Sequence, residues 1–391
     1  MRFPEFSGEW KQMKFKDVIN LQRGSSPRPI IEYLTTSDDG VNWIKIGDMP
    51  ISGRIVTSTE EKITKEGAKK SRHVSIGDLI LSNSMSYGLP YIMGIDGYIH
   101  DGWFVLKNYE KNFDRDYLCN LLISNAIQKQ YKKLAAGGVV QNISSDLVNS
   151  VYVSIPCLYE QKKIAKLLNL IDERIATQNK IIEKLQSLIK GIVVSHYSTI
   201  AHAIKVKIRD LGEAYSTMVM SKEQLTNDGN LCVFYGELFT LYGCVIDEVK
   251  SRTSLEIVSS TLSHGRDLLF PASTTVDAVS LIAPSALMQK GIILGGDMFG
   301  IKVSEAYNPI YLSYYFNYIA NKRLAKYAKG TTIIHLHYND IANVTIELPN
   351  IEEQDKIVST ILRYSTKLSI EKNILEKLSD LKQYLLKQLF I

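Results

Sequence analysis

The chain has 391 residues, of which 45% are hydrophobic and 22% are charged. This length predicts two or three domains at roughly 100–200 residues each, and the composition excludes disordered and collagen-like chains. No apolar run is long enough for a membrane span, the first residues lack a signal-peptide pattern, and the four cysteines form no CxxC pair. We therefore expect a cytoplasmic protein without disulfides or structural zinc, whose net charge of +5 is too small to identify nucleic acid as a partner.

The first half predicts a β-rich segment followed by helices. Short apolar segments between Gly, Pro, Asn and Asp turns predict strands at residues 41–46, 78–82 and 98–106. Apolar spacings of three and four predict a helix over residues 115–134, which ends at Gly137 and Gly138. A strand over residues 151–155 then leads to Pro156, which opens a long helix.

The second half predicts the same order of elements. Strands are expected at residues 232–235, 276–282 and 291–294. A helix over residues 310–328 follows, with Asn308 as its cap and Pro309 in its first turn, and it ends at Gly330. A strand over residues 344–348 leads to Pro349 and a second long helix.

These two halves form an internal repeat with a constant offset. Pro156 and Gln161 match Pro349 and Gln354, and the same offset of 193 relates Asp17 to Asp210 and Gly137 to Gly330. The middle segments, about 22–115 and 215–308, match only loosely. The sequence thus predicts two equivalent units with a common frame and different contents.

The two long helices carry the strongest periodicity in the chain. Their apolar positions alternate spacings of four and three, at Ile164, Leu168, Ile171, Ile175, Gln178, Ile182, Leu185, Ile189 and Ile192 and again at the same offset in the second half. Such a sustained heptad seam is typical of a coiled coil, and we expect the helices to pair antiparallel with each other. Gln178 and Glu371 occupy the midpoints of the seams and would form a central polar layer that fixes the register; the alternative is two exposed gaps.

No common catalytic motif is present in the sequence. A GxGxxG after a strand, GxxxxGK[ST], HExxH and GxSxG are all missing. His335 and His337 would share one face of a strand, but two histidines without a third ligand fall short of a zinc site. We expect a chain that binds no metal or cofactor and performs no covalent chemistry itself.

A combination of motifs suggests a family. It comprises an opening with Arg23-Gly24-Ser25-Ser26-Pro27, a variable β-rich middle, the loop GGVVQNIS at residues 137–144, and IPCLYEQKKIAKLL leading into a heptad helix. This combination resembles the specificity subunit of type I restriction-modification systems over the whole chain. The second half departs from the pattern, since residues 212–222 lack the Gly-Ser-Ser-Pro-like element.

The resemblance implies an α+β fold with a pseudo-two-fold internal repeat. Two tandem β-rich target-recognition domains, 1–155 and 201–348, would each be followed by a conserved helix, 156–200 and 349–391, and the helices would pair as an antiparallel coiled coil. Each domain would read one half of a split, asymmetric sequence in double-stranded DNA. Two methyltransferase subunits, which would supply S-adenosylmethionine, and through them restriction and translocase subunits, would be the protein partners.

Candidate DNA contacts are polar and basic side chains on loops that can enter a groove or approach phosphates. In the first unit they are Arg23, Ser25, Ser26, Arg28, Lys69, Lys70, Arg72, His73, Ser84, Ser86, Tyr87, Gln141 and Asn142. In the second unit they are Lys250, Arg252, His264, Arg266, Thr274, Thr275, Lys322, Arg323, Lys326, Lys329, Thr331, Thr332, His335, His337 and Tyr338. The run from Lys322 to Lys329 lies at helical spacing and suits phosphate better than bases.

Two other functions are compatible with the same sequence. One is a specificity chain of another multisubunit restriction or defence system. The other is a DNA-independent scaffold whose β units bind proteins and whose helices dimerise. A strong salt dependence of duplex binding would argue against the scaffold.

Overall fold

The computed structural model describes residues 2–50, 53–83, 88–135, 143–200 and 202–390. The chain divides into two compact units, residues 1–181 with 371–391 and residues 182–370, so that each long helix contributes one part to each unit. In the described residues no helix is long and apolar enough to cross a membrane.

The first unit contains two five-stranded sheets and a strand pair. Its strands are β1 Lys11–Lys14, β2 Asn20–Arg23, β3 Leu34–Thr35, β4 Val41–Ile44, β5 Ile55–Val56, β6 Glu61–Ile63, β7 Arg72–Val74, β8 Leu79–Ser82, β9 Pro90–Met93, β10 Gly97–Ile99, β11 Trp103–Lys107 and β12 Tyr152–Ile155. The sheets have the orders β2-β11-β8-β9-β5 and β3-β6-β4-β10-β7, and β1 pairs antiparallel with β12. Its short helices are α1 Phe15–Val18, α2 Lys65–Ala68, α3 Arg115–Ile123, α4 Asn125–Ala135 and α5 Ser145–Ser150. The long helix α6 spans Leu158–Ser198.

The second unit repeats the two five-stranded sheets and the strand pair of the first and adds a further strand pair. Its strands are β13 Ile204–Lys207, β14 Gly212–Ser216, β15 Leu225–Thr226, β16 Asn230–Phe234, β17 Val245–Ile246, β18 Ser251–Thr253, β19 Leu262–His264, β20 Asp267–Pro271, β21 Ser273–Thr274, β22 Ser285–Leu287, β23 Lys290–Gly295, β24 Met298–Val303, β25 Ile334–His335 and β26 Thr345–Leu348. The five-stranded orders are β14-β24-β20-β22-β17 and β15-β18-β16-β23-β19, β13 pairs with β26, and β21 pairs with β25. Its helices are α7 Glu237–Thr240, α8 Ala278–Leu281, α9 Pro309–Tyr315, α10 Asn321–Leu324, α11 Tyr338–Ile341 and the long α12 Ile351–Gln388.

The predicted offset holds in the backbone itself. The offset of 193 residues separates the first residues of three pairs of equivalent elements: β1 and β13, β12 and β26, and α6 and α12. The α+β repeat and its two long helices are therefore confirmed. The division into domains at 155, 200 and 348 stays a prediction, because the compact units cut the long helices near their midpoints.

Four predicted elements were wrong in detail, and three of them are a strand replaced by a helix, a divided strand and a broken helix. The strand expected over residues 276–282 is helix α8, because the Asp277 side chain accepts hydrogen bonds from the backbone N–H groups of Val279 and Ser280 and so caps a helix. The strand expected over residues 98–106 is two strands, β10 and β11, which belong to different sheets. The helix expected over residues 115–134 breaks at Ser124, which has extended backbone (ψ 155°) between α3 and α4.

The helix expected over residues 310–328 is also interrupted. It begins as predicted, with the Asn308 side chain accepting from two backbone N–H groups and Pro309 in the first turn. A π-helical segment, Phe316–Ala320, separates α9 from α10, and a 3-10 turn, Ala325–Tyr327, follows. The basic residues of this region therefore do not share one regular helix.

Within the first unit, the amino-terminal part of α6 packs against the carboxy-terminal part of α12. Ile164, Leu168 and Ile171 share one core with Leu385 and Leu389. Asp172 also forms an ion pair with Lys382. The start of α6 therefore lies against the end of α12, and the two helices run in opposite directions. The pairing is antiparallel, as predicted.

The central polar residues of the two seams meet in the same unit. The Gln178 side-chain amide donates to the Glu371 backbone oxygen at 3.0 Å and to its carboxylate Oε2 at 2.5 Å. Gln178 is buried. The contact agrees with a polar layer at the midpoint, while its role in fixing the register stays a prediction.

The Glu-Gln motif has a structural explanation in Gln161. This fully buried side chain accepts from the backbone N–H of Asp114 at 2.8 Å and donates to the carbonyl oxygens of Asn112 at 2.7 Å and Pro156 at 3.0 Å. Asp114 caps helix α3, whereas Pro156 precedes α6. Gln161 therefore joins the recognition segment to the start of its long helix.

Gln354 does the same in the second unit. It is fully buried, accepts from the backbone N–H of Asn308 at 2.9 Å and donates to the carbonyl oxygen of Pro349 at 2.8 Å. Asn308 caps helix α9 in turn. The repeated glutamine thus links the recognition segment to the long helix by hydrogen bonds in each repeat.

Candidate nucleic-acid interface

The loop after β2 carries the first group of predicted contacts. Gly24 lets this loop lie against the β10–β11 turn, since a Cβ there would meet the His100 carbonyl oxygen at 2.0 Å. Asp101, in that turn, accepts a hydrogen bond from the Ser26 hydroxyl at 2.8 Å and pairs with the Arg28 guanidinium at 3.0 Å. The Arg23 Nε donates to the Asp101 backbone oxygen at 3.3 Å.

Asp101 is held in its ionised form by these contacts. Partial burial raises its pKa, but the hydrogen bonds from Ser26 and Arg28 and the proximity of His100 together outweigh burial, and the pKa lies below its ordinary value. The Arg28 side chain remains 80% exposed. One anchored carboxylate thus orients an exposed arginine, which is available to phosphate or base edges.

Strand β7 brings a second basic group to the same place. The Arg72 Nε donates to the Arg23 carbonyl oxygen at 3.2 Å, and the ring of His73 lies 5.1 Å from that of Tyr98. We call the exposed surface formed by the β2 loop, β7 and the β10–β11 turn the Asp101 surface; its predicted members are Arg23, Ser25, Ser26, Arg28, Arg72 and His73. Lys69 and Lys70 are exposed in the segment just before β7.

Five predicted contacts lie outside the described residues. They are Ser84, Ser86, Tyr87, Gln141 and Asn142.

In the second unit, His264 is oriented by a buried carboxylate. Asp267 is fully buried; one of its oxygens, Oδ1, lies 3.0 Å from His264 Nδ1 and accepts from the Tyr215 hydroxyl at 2.5 Å. Its Oδ2 accepts the backbone N–H groups of His264 and Gly265 at 2.7 and 2.8 Å. Burial and the adjacent Asp267 raise the pKa of Tyr215, so the phenol remains a donor. The histidine ring is thereby fixed with its other nitrogen available to a partner.

Two adjoining cavities collect further predicted residues of the second unit. One, of about 870 Å³, is lined by Thr274, Thr275 and His335, and the other, of about 620 Å³, by His337 and Tyr338. The two cavities share Tyr235 and Asp297, and we call them together the Asp297 groove. The β21–β25 pairing brings His335 opposite Ser273, which explains why residues distant in the chain line one surface.

An exposed loop tip lies beside this groove. Lys329 and His335 exchange backbone hydrogen bonds at 2.9 and 2.7 Å, and Thr331 and Thr332 are exposed at the tip between them. Gly330 has φ +116°, a conformation that side-chain-bearing residues rarely adopt. The Lys329 ammonium donates to Asp340 at 2.5 Å, and this bond lowers the pKa of Asp340.

Other predicted contacts are not brought into the groove. The Arg266 guanidinium donates to the carbonyl oxygens of Val303, Ser304 and Tyr307, which favours a structural role. The remaining ones are exposed but do not line either cavity: Lys250, Arg252, Lys322, Arg323 and Lys326. Their contact with DNA stays a prediction.

Sequence reasoning missed the two carboxylates that orient Arg28 and His264. Asp101 and Asp267 are acidic, so a search for cationic and amide side chains passes over them. The partners of Asp101 lie 73 to 78 positions away, and Tyr215 lies 52 positions from Asp267. Only Asp267, three positions after His264, carried a local signal.

His335 and His337 lie close together, and each lies near an aspartate. Their rings lie 6.2 Å apart at an interplanar angle of 11°, and each faces an aspartate, at 3.8 Å for Asp297 and 3.6 Å for Asp340. Within the described ranges, no group of three or more His, Cys, Asp or Glu side chains is arranged to hold a metal ion.

Comparison with known proteins identifies the family to which this chain belongs. Residues 7–187 and 204–380 each match the family described as the type I restriction modification DNA specificity domain. These ranges cover most of the chain, one in each repeat. The chain belongs to this family.

Known relatives match the chain over nearly its full length. The type I restriction enzyme MjaVIII specificity subunit of Methanocaldococcus jannaschii is 22% identical, over 98% of this chain and 92% of that protein. A chain from a structure on complex assembly and conformational transition of the type I R-M system has a TM-score of 0.59 at 15% identity, over 98% of this chain and 97% of the other. The type I restriction-modification S subunit from M. genitalium has a TM-score of 0.58 at 13% identity, over 100% and 99%. Both structures share the fold described above.

Proposed function

We propose that this chain is the DNA specificity subunit of a type I restriction-modification complex and that it reads a bipartite, asymmetric target. The supporting observation is that both units have the same strand order but carry different side chains at equivalent places. Two units with the same fold can present their side chains to DNA in the same way, while different side chains select different bases. The Asp101 surface would read one half-site and the Asp297 groove the other.

The division between phosphate and base contacts follows from exposure and anchoring. Arg28 and His264 are each oriented by a carboxylate, which suits hydrogen bonding to base edges. Lys322, Arg323 and Lys326 are exposed on consecutive turns and suit the phosphate backbone. We assign the first pair to direct readout and the three cations to positioning.

The long helices would dock the catalytic partners. Leu188 on α6 and Leu381 on α12 occupy equivalent positions of the repeat and are 44% and 43% exposed. Exposed leucines at matching places suit two copies of one partner. These partners would be two methyltransferase subunits, which would bind S-adenosylmethionine and recruit restriction and translocase subunits in the cytoplasm, while this chain would perform no catalysis.

Methylome sequencing tests the proposal directly. Cells that carry this chain with its neighbouring methyltransferase are compared with cells from which this gene alone is deleted. A split motif with two different halves that disappears on deletion is the expected result. Unchanged methylation, with the chain expressed and bound to the methyltransferase, would contradict the proposal.

A further inference from the structure

The β2 loop has a structural counterpart in the second unit, although residues 212–222 lack its Gly-Ser-Ser-Pro-like element. In the first unit Arg23 pairs with Phe104 of β11, and in the second unit Ser216 pairs with Phe299 of β24. Because β11 and β24 occupy the same place in sheets of the same order, the loop at residues 23–27 corresponds to residues 216–220.

Backbone and burial support this correspondence beyond the strands. The Ser25 N–H donates to the Ile99 carbonyl oxygen at the end of β10, and Met218 forms a bridge with Gly295 at the end of the equivalent strand β23. Two residues further along, Pro27 of the first loop and Met220 of the second are equivalent, and both are buried. The residue between these anchors is Ser26 in the first loop.

In the second loop, the residue at the position of Ser26 is Val219. Ser26 donates its hydroxyl to Asp101, whereas Val219 is 94% exposed. Its neighbours are fixed, because Gly296 N–H donates to the Met218 carbonyl oxygen at 3.0 Å and Met220 is buried. Val219 also lines the 620 Å³ cavity of the Asp297 groove. The fold therefore holds an apolar side chain in solvent at the edge of a candidate DNA-binding surface.

We propose that Val219 reads the C5-methyl group of a thymine in the second half-site. This inference rests on the proposed function and adds the chemistry of one contact. A valine side chain can neither donate nor accept a hydrogen bond, so it cannot read the polar base edges of the major groove. The thymine methyl is the apolar feature that the major groove offers, and it is read by apolar contact.

Replacing thymine by uracil tests the contact, because uracil lacks only this methyl group. Once methylome sequencing has given the motif, duplexes with uracil at each thymine of both half-sites are bound to the complete complex. For the wild-type protein, one substitution should weaken binding about fourfold, the value of one buried methyl-sized group. For Val219→Ala that same substitution should have little effect, while all others keep their wild-type values.

A matched control is Val258, which is 97% exposed in the same unit but lies outside the loop. Val258→Ala should leave the response to every uracil unchanged. Specific binding without any thymine whose methyl couples to Val219, or a second half-site without an A·T pair, would overturn the inference alone. Absence of specific binding to the motif would instead overturn the proposed function.

Discussion

Replacement of Gln161 by leucine removes the hydrogen bonds that link the first recognition segment to its long helix. Three partners of the buried Gln161 side chain, the Asp114 N–H and the carbonyl oxygens of Asn112 and Pro156, would lose their hydrogen bond. At about 1 kcal/mol for each unsatisfied group, the lower end of the usual range, Gln161→Leu should lower the free energy of unfolding by about 3 kcal/mol. Gln354 forms two such bonds, so Gln354→Leu should lower the free energy of unfolding by about 2 kcal/mol on the same scale.

Tryptophan fluorescence follows the first unit selectively, because the three tryptophans are Trp10, Trp43 and Trp103. With a denaturant slope of about 3 kcal/mol per molar urea, Gln161→Leu should lower the urea midpoint of the fluorescence transition by about 1 M. The exposed Gln12, on strand β1 of the same unit, provides the control, and Gln12→Leu should leave the midpoint unchanged. If Gln161→Leu and the control had the same midpoint, these hydrogen bonds would not stabilise the link between the recognition segment and the helix.

Three further predictions concern the DNA and partner surfaces. Asp101→Asn should relax base preference in one half-site of the methylome motif. Because the pKa of Asp101 is lowered, its carboxylate should stay ionised down to acidic pH, so the difference in half-site preference between the wild type and Asp101→Asn should persist from about pH 8 to 5 and disappear only at lower pH. Lys326→Ala should weaken binding to all duplexes alike and reduce the salt slope of log K by about 0.9, so a changed motif would contradict a phosphate contact. Leu188→Glu and Leu381→Glu should each remove one methyltransferase subunit in native mass spectrometry, and a full complex in the double variant would disprove this docking site.

The sequence predicted the frame of the fold better than its middle segments. The terminal strands and long helices kept their constant offset in the structure because both repeats need the same strand pair and the same buried glutamine. In the middle segments, local capping and breaks overrode apolar patterns, as at Asp277 and Ser124. The common sheet order was hidden from sequence comparison because different apolar side chains fill equivalent strands.

The candidate sites could be predicted only in part. Cationic and hydroxyl side chains were found from residue type, and the structure gathers many of them into the Asp101 surface and the Asp297 groove. Two of them are oriented by carboxylates: Asp101 lies 73 positions from Arg28, where no spacing reveals it, whereas Asp267 lies three positions from His264. Val219 was missed for a different reason, since an apolar residue in a loop carries no polar signature and its meaning depends on the loop equivalent to residues 23–27.

The pairing of β1 with β12 and of β13 with β26 places the first and last strands of each recognition segment side by side. Lys11 lies opposite Ile155, and Ile204 lies opposite Leu348. A segment whose two ends are neighbours can be exchanged as a cassette with two closely spaced joints. Recombination within these strand pairs would therefore produce a new half-site preference in one step and leave the helices untouched.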